Sequence, residues 1–155
     1  MTTALGLFEL LGGSMPGRWL FSRVVCWRAP YFGSIAPRVD ALVPGRCVVR
    51  VRDRWRVRNH FGTVHAIAMC NAAELAAGLA TDAALDATHR WIPKSMQVSY
   101  LRPARGTLTA TATVPPIAAA EAGSECPVTV DVRDAAGEAV FRAVISMWIT
   151  PRREA

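Results

Sequence analysis

Asn59, His65 and Glu74 are the side chains near the middle of the chain whose types and spacing could perform acid–base chemistry on a polarised carbonyl group. Glu74 is the unusual member, because it interrupts an apolar run that extends from Thr63 to Ala80. An ionised carboxylate in apolar surroundings costs several kcal/mol unless it is paired, hydrogen-bonded or solvated through an opening. Glu74 is therefore a candidate general base, and a plain ion pair with an arginine or at a subunit boundary is the alternative interpretation.

The residues before Glu74 have the features of a helix start. Thr63 after Gly62 is a reasonable cap, and the free backbone N–H groups that follow attract anions or polarise a carbonyl group. His65 lies nine residues before Glu74, so at about 100° per residue the two point to opposite sides of the helix and cannot form one acid–base pair within a subunit. We expect His65 to hold the preceding loop by hydrogen bonds, or to be an ordinary structural histidine. Asn59 adds a loop amide that could bind a substrate carbonyl or a water, although loop asparagines are also common turn formers.

A framework must bury the apolar run that carries Glu74. The run from Thr63 to Ala80 predicts one helix about 27 Å long, and because it is apolar on every side it must be wrapped by other elements. Segments with strand-like alternation surround it in the sequence. They are residues 38–43, 46–58, 96–102, 106–114, 127–134 and 138–150. We therefore expect an α+β domain in which a curved antiparallel sheet of about six strands surrounds one long central helix.

Residues 46–58 carry the strongest alternation and predict a long, half-buried strand. Five arginines share one face of it, namely Arg50, Arg52, Arg54, Arg56 and Arg58. We interpret this arginine stripe as a solvated outer face with carboxylates on neighbouring strands, and a phosphate-binding surface is the alternative.

Composition limits the remaining possibilities. A chain of 155 residues fits one domain, and its mean hydropathy of +0.21 indicates that apolar surface is also buried between subunits. The net charge of +6 is compatible with phosphorylated ligands, but the arginine stripe lacks interleaved aromatic residues and we expect no nucleic-acid partner. The four cysteines form no CxxC pair, so we expect neither a metal site nor a disulfide framework.

The N-terminal 34 residues are apolar but interrupted. Glycines, Pro16 and several arginines break the segment, so we expect two short helices packed on the domain of residues 35–155, without stable membrane insertion, in a cytoplasmic protein. A helix lying on a membrane surface is the alternative.

The pattern Asn59-x-x-Gly62-Thr63-x-His65, an acid nine residues later, and a strand ending in Tyr100-Leu101-Arg102-Pro103-Ala104 resembles the hotdog-fold acyl-CoA thioesterase superfamily. Within it, the chain is most similar to the phenylacetyl-CoA and 4-hydroxybenzoyl-CoA thioesterase branch and to a hotdog family of unknown function. The resemblance covers roughly residues 35–150.

The resemblance implies a role for each residue of this pattern. Glu74 would act as nucleophile or general base on the thioester, from a helix contributed across a dimer interface. Asn59 would orient the attacking water or the thioester carbonyl, His65 is the histidine at the helix start, and the backbone N–H of Ala66 would polarise the carbonyl oxygen. The family usually has His-Gly-Gly where this chain has His65-Ala66-Ile67.

The resemblance also implies the ligand and the assembly. Coenzyme A, as part of the substrate, carries phosphates that require a basic rim, for which Lys94, Arg102 and Arg105 are the candidates. No separate cofactor is expected. A homodimer or a dimer of dimers is the expected assembly.

Two other functions remain open. Replacement of the glycine pair by Ala66-Ile67 is compatible with a non-catalytic protein that binds acyl-CoA or another protein. A 3-hydroxyacyl thioester dehydratase is the other possibility, since hotdog dehydratases pair a histidine with a glutamate fourteen residues later, and His60 stands at that distance from Glu74.

Overall fold

The computed structural model of the protein describes residues 3–117 and 123–152. Its centre is a six-stranded antiparallel sheet with the strand order β1-β2-β4-β5-β6-β3, folded around the long helix α3. The helices are α1 (Ala4–Leu11), α2 (Met15–Arg28) and α3 (Ala66–Ala84), and the strands are β1 (Arg38–Val43), β2 (Arg46–Val51), β3 (His89–Tyr100), β4 (Leu108–Thr113), β5 (Ser124–Arg133) and β6 (Ala139–Pro151). Short 3-10 helices span Pro30–Ile35 and Trp55–Val57.

Helix α3 is the central helix that the sheet surrounds. Of its 19 residues, 13 are buried, and it contacts all six strands. Most of its buried residues are alanines. Their small side chains let the sheet approach the helix closely on several sides. The predicted α+β architecture, with about six antiparallel strands around one central helix, is confirmed.

The helix does not begin where the sequence predicts. It starts at Ala66 with His65 as N-cap and ends at Ala84, so the predicted start at Thr63 and end at Ala80 are both wrong. Thr63 is not the cap because its side chain is hydrogen-bonded to the Asn59 side chain. Val64 stays extended because its N–H donates to the Ala104 carbonyl.

The predicted strand over residues 46–58 is also wrong beyond Val51, where β2 ends. Asp53 turns the chain away from the sheet, because its carboxylate accepts hydrogen bonds from Arg58 Nε and from the Gly106 backbone N–H. The 3-10 turn Trp55–Val57 follows. The arginine stripe is therefore split between two surfaces.

The N-terminal helices cover one side of the core. Phe8 of α1 meets Phe21 of α2 edge to face, with ring centroids 5.0 Å apart, and both rings are buried. Ser22 of α2 accepts a hydrogen bond from the Val39 N–H, which ties α2 to β1. The other two aromatic residues of these two helices, Trp19 and Trp27, stay exposed.

Strand β3 forms one edge of the sheet. It pairs only with β6, and nine of its 12 residues are exposed. Ile92, Val98 and Tyr100 are among the large exposed side chains of this strand. A long edge strand with apolar side chains is a template for pairing with another chain.

Candidate functional site

Glu74 lies on the side of α3 that faces the edge strand β3. One turn to either side of it, Cys70 lies 3.3 Å from the Tyr100 hydroxyl (Sγ to Oη), and Gly78 packs beneath the Trp91 ring. Positions 70, 74 and 78 share one side of a helix, so Glu74 lies between these two contacts with β3. The hydrogen bond with the Cys70 thiol is the main reason that the pKa of Tyr100 is raised.

The Glu74 carboxylate has no partner within residues 3–117 and 123–152. It is only partly buried, and it forms neither a hydrogen bond nor an ion pair with any described residue. The ion pair with an arginine that the sequence offered as an alternative is therefore not formed within this part of one subunit. A carboxylate left without a partner on a largely buried helix is available to a substrate or to a second subunit.

Asn71 lies one turn before Glu74 and was not singled out by the sequence. It is buried, and its Nδ2 donates to Ser34 Oγ at 3.1 Å, in the segment that joins α2 to β1. Its Oδ1 is buried without a hydrogen-bond partner in the described structure. An orphaned buried acceptor is rare enough to indicate a water or a ligand donor at this position. An asparagine in the apolar run was the only sequence signal for it.

The loop of residues 58–65, the helix-start loop, is organised by Asn59. The Asn59 Oδ1 accepts hydrogen bonds from the backbone N–H groups of Phe61 and Thr63, and Nδ2 donates to Thr63 Oγ1 at 2.9 Å. These bonds form an Asx turn closed by the Gly62 N–H donating to the Asn59 carbonyl, with Gly62 at a φ of 71°. One of the two Nδ2 hydrogens remains for another acceptor.

His65 caps α3. Its Nδ1 accepts a hydrogen bond from the Ile67 N–H at 3.1 Å, and its backbone N–H donates to the Val57 carbonyl. The N–H of Ala66, the first residue of the helix, makes no hydrogen bond to any described residue, as expected for a helix N-terminus. Ile67, the next residue, is 53% exposed, so its side chain is not packed in the core.

No hydrogen bond connects Glu74 with Asn59, His60 or His65 among the described residues. His60, the histidine of the dehydratase hypothesis, is exposed and its ring lies 3.9 Å from the ring of Phe61. Within one subunit the candidate site therefore consists of two parts: the helix-start loop, and Glu74 with its neighbours facing β3.

Asp53 holds the helix-start loop in place through hydrogen bonds of its carboxylate. Its carboxylate bonds Arg58 Nε at 2.6 Å and the Gly106 N–H at 2.9 Å. The hydrogen bond from Arg58, the Gly106 N–H and the nearby guanidinium charges together hold the pKa of Asp53 below its usual range, against the opposing effect of burial. The loop is thus joined to the turn before β4 through a charged hydrogen bond.

The three basic residues predicted to bind coenzyme A contact different parts of the structure. Lys94 forms an ion pair with Glu125 of β5 and stacks over the Trp148 ring. Arg102 is paired with Glu138 at 3.1 Å. Arg105 donates to the Gly62 carbonyl at 3.3 Å and so lies against the helix-start loop.

A cavity of about 560 Å³ adjoins the helix-start loop and was missed by the sequence reasoning. Its lining residues are Trp55, Arg56, Arg58, Asn59, His60 and Gly62. Trp55 is 85% exposed there, beside Arg56, which forms no hydrogen bond or ion pair with any described residue. These residues were assigned to a strand, which hid the possibility that they share a concave surface with Asn59.

The described residues contain no group of three or more His, Cys, Asp or Glu side chains able to hold a metal ion. They also contain no helix long and apolar enough to cross a membrane.

Comparison with known proteins places the chain in a family. Residues 17–149 match the model of the domain of unknown function DUF4442. No curated protein matches the chain. The structural-genomics protein APC5556 has 39% sequence identity and a TM-score of 0.82, over 96% of this chain and 98% of that one.

Two more distant structures carry functional names. A probable thioesterase of unknown function from Pseudomonas aeruginosa has a TM-score of 0.77 at 21% identity, over 84% of this chain and 93% of that one. A thioesterase from Haemophilus influenzae has a TM-score of 0.71 at 17% identity, over 99% and 94%. At these identities the two establish the fold alone. The chain belongs to the DUF4442 family and has the hotdog fold.

Proposed function

We propose that the protein hydrolyses an acyl-CoA thioester to the free acid and coenzyme A. The observation that carries the proposal is the Glu74 carboxylate, which lies on a largely buried helix without a partner among the described residues. The thioesterase names of structures with the same fold support this reaction class. No separate cofactor is needed, because coenzyme A is the leaving group.

In this mechanism Glu74 activates water or attacks the thioester itself. As a general base it takes a proton from water while the water oxygen bonds to the carbonyl carbon, and the C–S bond then breaks to release the thiolate of coenzyme A. As a nucleophile it displaces the thiolate of coenzyme A as the C–S bond breaks, and water then hydrolyses the resulting acyl-carboxylate anhydride to the free acid and the Glu74 carboxylate. The unbonded N–H of Ala66 polarises the carbonyl oxygen, and the remaining Nδ2 hydrogen of Asn59 orients the water or the carbonyl.

A homodimer joined through β3 unites the two parts of the site. Glu74 faces β3, and the free edge of β3 is the surface on which a second copy extends the sheet. A two-fold axis beside β3 brings the helix-start loop of one subunit toward Glu74 of the other. This arrangement also explains why His65 and Glu74 need not lie on one side of α3.

The basic residues around the helix-start loop would receive the phosphates of coenzyme A. Arg105 lies against the Gly62 carbonyl, and Arg56 lines the adjoining cavity beside the exposed Trp55 ring. Lys94 and Arg102 already have carboxylate partners, so each must leave or share its partner to bind a phosphate. Arg105 and Arg56 are thus the first arginines to test.

The test is a panel of acyl-CoA substrates, aliphatic and aromatic, with release of the thiol followed by a thiol-reactive dye. Hydrolysis above the rate without enzyme, abolished in Glu74→Gln, is the expected result. Saturable binding of acyl-CoA in calorimetry without any release of thiol would instead identify a binding protein. Conversion of a 3-hydroxyacyl thioester to the enoyl product would favour the dehydratase alternative.

A further inference from the structure

Helix α2 exposes an apolar face. Trp19 and Trp27, spaced eight residues apart on one side of the helix, are 60% and 81% exposed. Leu20 lies beside them, and Arg23 stands between the two tryptophans on the same side. Helices of soluble domains normally turn such side chains inward, so this face is suited to contact with an apolar phase.

An arginine-rich cavity borders this face. It has a volume of about 370 Å³, and Trp19 and Arg23 belong to its walls. Four further arginines line it, from β1, β2 and the residues after β2: Arg38, Arg50, Arg52 and Arg54. Three of the five residues of the arginine stripe therefore line this cavity.

The cavity carries an excess of positive charge. Asp40, which is 10% exposed, pairs with both Arg38 and Arg50, and it is the carboxylate that offsets this cluster among the described residues. Arg54 donates to the Ile35 carbonyl. Arg23 and Arg52 have no partner in the described part of the chain. Guanidinium groups gathered in this way repel one another unless an anion lies between them.

We propose that this surface, the α2 face with the arginine cavity, binds the anionic surface of a lipid membrane. Tryptophans beside arginines match the boundary between acyl chains and phosphate headgroups, where the rings enter the apolar region and the guanidinium groups meet phosphates. A second copy of the chain fits less well, because a two-fold contact would place the same arginines opposite one another. The contact is peripheral, since α2 has 14 residues and lies along the protein surface.

Co-sedimentation with vesicles tests the proposal. The full-length protein should sediment with phosphatidylcholine vesicles that contain phosphatidylglycerol, only weakly with pure phosphatidylcholine, and less at high salt. The variant Trp19→Ala/Trp27→Ala and the variant Arg23→Glu/Arg52→Glu should each partition roughly tenfold more weakly. Two controls lie at exposed sites outside this surface: Trp55→Ala, which removes one tryptophan, and Arg46→Glu/Arg56→Glu, which makes the same charge change. Both should bind the vesicles as the native protein does. Circular dichroism of each variant establishes that it is folded.

Several results would overturn the proposal. Equal sedimentation with neutral and anionic vesicles would show that the arginines do not contribute to binding. Absence of sedimentation with either kind of vesicle would show that the protein does not bind membranes. Saturable binding of inorganic phosphate in calorimetry without vesicle binding would assign the cavity to a soluble phosphorylated ligand. A salt-dependent shift of duplex DNA without vesicle binding would assign it to nucleic acid. A lower oligomeric mass of Trp19→Ala/Trp27→Ala would make the α2 face an interface between copies.

Discussion

Replacement of Glu74 by alanine separates a catalytic carboxylate from a structural one, because the two roles predict opposite effects on stability and activity. Breaking a buried ion pair costs about 3–5 kcal/mol, since the remaining charge is left without a partner. Glu74 has no partner among the described residues, and alanine is the better helix former by a few tenths of a kcal/mol. We therefore expect the free energy of unfolding of Glu74→Ala to stay within about 0.5 kcal/mol of the native value.

The activity should respond in the other direction. Loss of a general base lowers the rate by about 10²–10⁴-fold, so thiol release from the best acyl-CoA substrate should fall by at least that lower factor in both Glu74→Ala and Glu74→Gln. Asp82→Ala is the matched control, because Asp82 is a partly buried carboxylate on the same helix that has no ion pair in the described structure. Urea unfolding and the thiol assay are measured on the same preparations. Unchanged hydrolysis in Glu74→Ala, or a loss of more than about 2 kcal/mol in its unfolding free energy, would refute the reasoning.

Three further variants test the fold around the site. Asp53→Asn should lower the free energy of unfolding at neutral pH by about 1 kcal/mol, because the charged hydrogen bond is lost but its arginine partner is half-exposed. The depressed pKa of Asp53 contributes stability that is complete above the pKa of the unfolded chain and is lost as the pH falls through the folded value, so urea midpoints of the two proteins should converge in acid. Val98→Lys on the free edge of β3 should shift sedimentation equilibrium toward the monomer, whereas the control Val144→Lys, on the interior strand β6, should not. Gly78→Val should cost about 2 kcal/mol in urea unfolding, since even a Cβ at this position would lie 2.7 Å from the Trp91 ring.

The sequence predicted the elements better than their ends. An apolar run of this length can only be a buried helix, and alternation identified the strands on both sides of it, so the order of elements followed from local pattern. The prediction that the helix starts at Thr63 was wrong because a tertiary contact sets where the helix begins. The Val64 N–H donates to Ala104, forty residues later, and this bond keeps the segment extended where its local signals favour a helix.

The prediction of one long strand carrying the arginine stripe was also wrong because of a tertiary hydrogen bond. Residues 46–58 alternate as a long strand would, but Asp53 accepts a hydrogen bond from the N–H of Gly106, which bends the chain after Val51. A carboxylate in an alternating segment carries no local signal that its partner lies on a distant turn. The pairing of Asn71 with Ser34 was hidden in the same way, so the part of the site that links α3 to the N-terminal segment was missed.

Ile67 connects the altered helix start to the choice of substrate. Positions 67 and 74 are two turns apart, so Ile67 lies on the same side of α3 as Cys70 and Glu74. Its side chain is 53% exposed, at the position of the second glycine in similar sequences. The residue does not block the helix N-terminus, because the cap from His65 to the Ile67 N–H is formed with the side chain in place. In the proposed reaction, Ile67 is therefore the position near the helix start at which we expect a substitution to change the preference among acyl groups.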